Sequence, residues 1–113
     1  MRWAIRRVLV TGPSMAPALR HGDQLLVRFG PRAGRSRVGS VVVVALPDRP
    51  LAVKRVVRVE SDGRLWIEGD NPAASTDSRE LGSVSADAVR GRVLLRLWPR
   101  PGHVPPSHWP AEI

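Results

Sequence analysis

The chain has 113 residues, 42% of them apolar and 25% charged, the size and composition of one ordinary globular domain, which excludes a multidomain enzyme. It has no Cys, which excludes disulfides, thiolate metal sites and cysteine nucleophiles, and its aromatic content of 4% leaves the core to Val, Leu and Ala, residues expected here to pack as sheet. The net charge of +8 is uneven: residues 1–37 hold eight Arg against Asp23, while residues 38–113 hold ten basic and nine acidic residues, so the positive field belongs to the first third and suits an anionic partner or surface.

In chain order, Trp3 to Val10 reads as a first strand, followed by the tight turn Thr11-Gly12-Pro13-Ser14 that presents a serine. Gln24 to Phe29 reads as a second strand after the Gly22-Asp23 turn. Residues 30–37 carry three Arg and no apolar period, so an exposed basic loop or mobile connector is expected there. Val41 to Leu46 is a continuous apolar run closed by Pro47, the pattern of a strand buried on both faces. Leu51 to Glu60 and Arg64 to Glu68, each preceded by a turn, extend it into an antiparallel meander. Residues 69–83 form a long polar, turn-rich stretch of the kind that is usually functional in a compact domain. A short helical turn is expected near Ser85 to Val89, and a last strand over Gly91 to Trp98. The expected organisation is one all-β domain over residues 1–98, mostly antiparallel, and a Pro-rich tail over 99–113 with extended backbone and no ladder hydrogen bonds.

The uncharged apolar stretches Val8 to Leu19 and Val38 to Pro47 fall short of the ~20 residues of a membrane helix. Nor does the N-terminus read as a secretory signal, because Gly12-Pro13 follows only three apolar residues after Arg7. The protein is therefore expected to be soluble and cytoplasmic, with peripheral contact at the inner face of the membrane as the furthest departure.

Chemistry in such a chain must come from Ser, Thr, His, Asp, Glu or Lys. Ser14, between Gly12-Pro13 and Met15-Ala16-Pro17, is placed for display, but a serine hydroxyl needs an adjacent base. Lys54 is the sole lysine among 18 basic residues, and only a lysine can become a neutral amine at working pH. Ala52 and Val56 share its strand face and would desolvate it, lowering its pKa. His21, seven residues from Ser14, and His103 and His108 in the tail are the alternative bases for a Ser-His-Asp arrangement. Without Cys, a His-x-x-x-His pair or clustered acids, no metal site and no cofactor is expected.

Three segments together resemble the signal peptidase I family of Ser-Lys proteases. Ser14-Met15-Ala16-Pro17-Ala18-Leu19 with Gly22-Asp23 is similar to its nucleophile box, Lys54-Arg55-Val56-Val57 to its lysine box, and Gly69-Asp70-Asn71 with Ser75, Asp77-Ser78-Arg79 and Gly82 to its final box. The resemblance implies a coiled β fold, a Ser14 nucleophile, a neutral Lys54 base and a Ser75 hydroxyl that orients the amine. It implies further that Asp77 and Arg79 pair to hold the polar loop, that Asp70 and Asn71 shape its turn with Ser78 in support, and that Met15 and Pro17 lie along the substrate. The Ser14 N–H would meet the oxyanion; Gly12 stands where some relatives carry a hydroxyl, leaving Thr11 or a backbone group as second donor. The Gly-Asp-Asn-Pro segment and the Leu97-Trp98-Pro99 ending look most like the nickel-type superoxide dismutase maturation proteases. The expected function is thus a serine endopeptidase that trims an extended N-terminal segment from a protein substrate. A general signal peptidase at the membrane surface is the first alternative. A non-catalytic basic module binding nucleic acid, which charge alone does not favour, is the second.

Overall fold

The computed structural model describes residues 4–106; Arg2, Trp3 and His108 lie outside them. Six strands, β1 (Ala4–Leu9), β2 (Gln24–Phe29), β3 (Val41–Val44), β4 (Ala52–Val59), β5 (Leu65–Glu68) and β6 (Val89–Trp98), form one sheet in the order β1-β2-β6-β3-β4-β5. Every neighbouring pair is antiparallel. The all-β expectation therefore holds, and β3, β4 and β5 form the expected meander.

The four valines of β3 explain why this sheet has a core on each side. Val41 and Val43 point into a cluster with Val10, Met15, Leu19, Leu25, Val27 and Val93. Val42 and Val44 point into a second cluster with Ala33, Leu46, Val56, Leu65, Ile67 and Val89. A period of two along one strand thus feeds two cores, which is why the run is apolar throughout rather than alternating.

Two expectations are corrected, and one stretch is described more finely. The segment 30–37 is not wholly exposed: Ala33 and Ser36 are buried, a 3-10 turn spans Ala33–Arg35, and Ala33 packs in the second core. The small side chain of Ala33 gives too weak an apolar signal among three arginines to be read from the sequence. The polar stretch 69–83 contains a single-turn helix, α1 (Ser78–Leu81), capped by the Asp77 side chain accepting from the Arg79 N–H. The tail does form ladder bonds, with Arg96 and Gly102 exchanging two backbone hydrogen bonds. Val104 packs against the first core, and Pro105 O accepts from Arg55 at 2.8 Å. The turn expected near Ser85 is a 3-10 turn, Ala86–Ala88, capped by Ser85.

Candidate active site

The turn after β1 is built from backbone geometry and two buried side chains. Gly12 adopts φ 81°, a left-handed conformation that glycine accepts without steric cost and that reverses the chain after β1. Met15 and Leu19 are fully buried and pull the following turn into the first core, leaving Ser14 half-buried at the surface. The loop is closed by Val10 N–H to Asp23 O and Gly22 N–H to Val10 O, both 2.9 Å, and from β6 by Arg96 donating to Ala18 O. His21 is drawn into this scaffold rather than toward Ser14: its Nδ1 accepts from the Gly12 N–H at 3.0 Å. That bond occupies the Gly12 donor, whereas the Ser14 N–H has no protein acceptor among the described residues.

Lys54, on β4, is 4% exposed, and its Nζ donates to Ser75 Oγ at 2.8 Å. Ser75 Oγ in turn donates to Asp77 Oδ2 at 2.5 Å. Asp77 is completely buried and also accepts from the Gly69 N–H and from the Arg79 backbone and guanidinium, the closest guanidinium contact being 2.7 Å. Burial alone would push the Asp77 carboxyl up; the hydrogen bonds from Arg79, Ser75 and the Gly69 backbone outweigh it and hold the group well below the usual carboxylate range. Burial is the main cause lowering the Lys54 pKa. The Asp77 charge opposes that shift, and Arg79 and Arg49 add to it.

This chain of bonds fixes direction as well as position. Because the Ser75 proton is committed to Asp77, Ser75 Oγ faces Lys54 as an acceptor, so an N–H of the amine points at Ser75 and the lone pair of the neutral form points elsewhere. Ser14 and Lys54 line the same groove, of about 350 Å³, with Thr11, Leu46, Arg49 and Thr76.

The segment from 69 to 79 clamps the two halves together. Asn71 donates its backbone N–H to Ser14 O at 2.9 Å and its Nδ2 to Pro13 O at 3.1 Å, tying the serine turn to the Ser75 loop. Gly69 is wedged between them, so that a Cβ there would contact Ser75 Oγ and stand 2.6 Å from Ser14 O. Ser78 Oγ accepts from the Ile67 N–H and pins α1 to β5. Asp70 makes a two-pronged ion pair with Arg55, both residues buried, and Arg55 also donates to Gly39 O. The sequence reading gave Arg55 no role. Its signal was the acid of Gly69-Asp70-Asn71, which needs a cation once buried. Met15, expected along the substrate, is chiefly a core residue 1% exposed whose edge reaches the groove, while Pro17 is exposed and is not part of the groove wall.

A sequence profile described as Peptidase S24-like matches residues 6–93. The chain belongs to the Peptidase S24-like family. Among its curated relatives, the mitochondrial ATP-independent inner membrane protease subunit 1a of Arabidopsis thaliana is 36% identical over 87% of this chain and 73% of its own length. The mitochondrial inner membrane protease subunit 1 of Xenopus tropicalis is 37% identical over 81% and 68%, and that of Schizosaccharomyces pombe 33% over 93% and 77%. The S24-like chain is thus a peptidase by family, similar to signal peptidase-like enzymes. These relatives carry names of inner membrane proteases and not of dismutase maturation enzymes. Among the described residues, no helix of this S24-like peptidase is long and apolar enough to cross a membrane.

Proposed function

We propose that this S24-like peptidase is a serine endopeptidase in which neutral Lys54 serves as general base to Ser14. The observation that carries the reading is the Lys54–Ser75–Asp77–Arg79 chain, which keeps a desolvated amine in one orientation within the groove that Ser14 lines. As the Ser14 hydroxyl attacks the peptide carbonyl carbon, its proton passes to Lys54 Nζ and the carbonyl oxygen becomes an oxyanion facing the Ser14 N–H. Collapse of this intermediate breaks the C–N bond, and Lys54 returns the proton to the departing amine. Water then attacks the acyl-Ser14 ester, gives its proton to Lys54, and the proton returns to Ser14 as the acid leaves. Ser75 and Asp77 transfer no proton in this scheme; they hold the amine.

The substrate in this reading is an extended N-terminal segment of a separate protein, with a nickel-type superoxide dismutase precursor as its proposed source. The Gly69-Asp70-Asn71-Pro72 segment supports that source, whereas the names of the relatives support a precursor processed at a membrane. Incubating the purified chain with each precursor, and locating new N-termini by mass spectrometry, separates the two. A new N-terminus in the dismutase alone supports the proposed source, and one in the membrane precursor alone replaces it while keeping the dyad. No cleavage of either, with an active control protease, removes the endopeptidase reading.

A further inference from the structure

Arg28 on β2 and Arg92 on β6 are direct cross-strand partners, in a row that continues to Ile5 on β1 and Val42 on β3. Directly opposed side chains share a sheet face with Cβ atoms about 5 Å apart, so both side chains leave the sheet on one side. The turn after β2 brings up two more guanidinium groups. Arg28, Arg32, Arg35 and Arg92, with Ala33 and Ser36, line one cleft of about 290 Å³ whose wall holds no carboxylate among the described residues. The adjoining cleft shares Arg32 and Arg35 and contributes one acid, Asp87, and one further cation, Arg90. Arg32, Arg35 and Arg92 have no carboxylate partner among the described residues.

The turn that presents two of these groups is fixed in place. Ala33 is buried in the second core, and the buried Ser36 donates its hydroxyl to Ala33 O at 2.7 Å. Gly34 lies so close to the Ala86 turn that a Cβ would stand 2.8 Å from the Ala86 carbonyl carbon. Arg32 holds φ 72°, a left-handed backbone disfavoured for any residue but glycine. None of the four arginines lines the groove of Ser14 and Lys54.

We propose that this cleft binds a doubly charged phosphate group, as a phosphate monoester or a pyrophosphate, at a site separate from the catalytic groove. Planar guanidinium forks match phosphate oxygens two at a time, and Arg32, Arg35 and Arg92 bring three such forks to one cleft. The cleft lies just below the ~300–1,000 Å³ of drug-sized ligand pockets, which suits a headgroup-sized anion. Its source is either a free anion or a lipid headgroup, and Ile5, 59% exposed in the same cross-strand row, gives the second a neighbouring apolar contact.

The test uses the full chain at fixed ionic strength: calorimetric titration with sodium pyrophosphate, and sedimentation with phosphatidylcholine vesicles with and without phosphatidic acid. Saturable binding is expected for at least one probe, weakened about tenfold or more in Arg35→Gln/Arg92→Gln and unchanged in the charge-matched Arg6→Gln/Arg100→Gln. Pyrophosphate binding alone identifies a free anion, and binding to the phosphatidic acid vesicles alone a lipid headgroup. If the double variant unfolds, the exposed Arg35→Gln replaces it against Arg6→Gln. Equal weakening in both variants, or no binding of either probe, overturns the site.

Discussion

Replacing Gly69 by alanine places a methyl group where the Ser75 side chain and the Ser14 carbonyl converge. The new Cβ would stand 2.6 Å from Ser14 O and 2.7 Å from Ser75 Cβ, whereas ordinary contact begins at 3.4 Å, so each must retreat by about 0.7–0.8 Å. Neither is free to do so, because Ser14 O is held by the Asn71 N–H, and Gly69 itself is bonded to Asp77 through its N–H and to Arg79 through its carbonyl. Overpacking of this kind costs about 1–3 kcal/mol of stability. The larger effect is on chemistry, since a misplacement near 1 Å costs about 100-fold in rate, and here the shift separates the serine from the group that orients the amine. We expect Gly69→Ala to melt cooperatively a few degrees lower and to lose kcat by about 100-fold or more on a peptide spanning the cut site, with KM little changed. Gly63→Ala, strained at φ 88° in the distant β4–β5 turn where a Cβ has open space, is the control: it loses stability but keeps kcat. A Gly69→Ala enzyme that melts cooperatively with kcat within about threefold of the parent would refute the proposed convergence of Ser14 and Ser75.

Ser14→Ala and Lys54→Arg are each expected to lower cleavage by at least about 1,000-fold with an unchanged circular dichroism spectrum, because nucleophile and base act as a unit; an active Lys54→Arg removes lysine from the mechanism. Ser75→Ala should reduce kcat by about 100-fold while KM stays constant, and an effect confined to KM would reassign Ser75 to substrate binding. Activity should rise with pH as Lys54 loses its proton, and Arg49→Ala, by removing a cation that lowers the Lys54 pKa, should move that limb to higher pH; an unmoved or downward-shifted limb contradicts the assignment. Asp77 has a depressed folded-state pKa, so the stability it contributes is present above the unfolded carboxylate value of about 3.9 and is lost as pH falls below it. Chemical denaturation from pH 5 down to pH 2 should therefore show a shallower acid loss in Asp77→Asn than in the parent.

Much of this architecture was legible in the chain because it rests on local pattern. Gln24 to Phe29 follows the Gly22-Asp23 turn and ends before Gly30, and β2 has those limits. The valine run announces a strand covered on both sides, and a lone lysine among arginines points to the one cation that can lose its proton. What was hidden depends on distant packing. Arg55 is buried because Asp70 arrives from one side and the Pro105 carbonyl from another, contacts 15 and 50 residues away that no periodicity encodes. Met15 sits beside Ser14 in sequence, but the first core lies under the turn and takes the side chain inward. The α1 helix, at four residues, is too short to show a helical period, and only its Asp77 cap signals it.

The strand order has a consequence in time. Strands β1 and β2 carry the Ser14 turn, and β3, β4 and β5 carry Lys54 and the loop that orients it, yet the two groups of strands pair only through β6. That strand spans residues 89–98 and follows the other five described strands in the sequence. Its pairings with β2 and β3 close long loops, which makes them late events in folding. A chain whose β6 has not yet formed therefore holds a serine and a lysine that no sheet brings together, and in this arrangement assembly of the proposed dyad waits on β6.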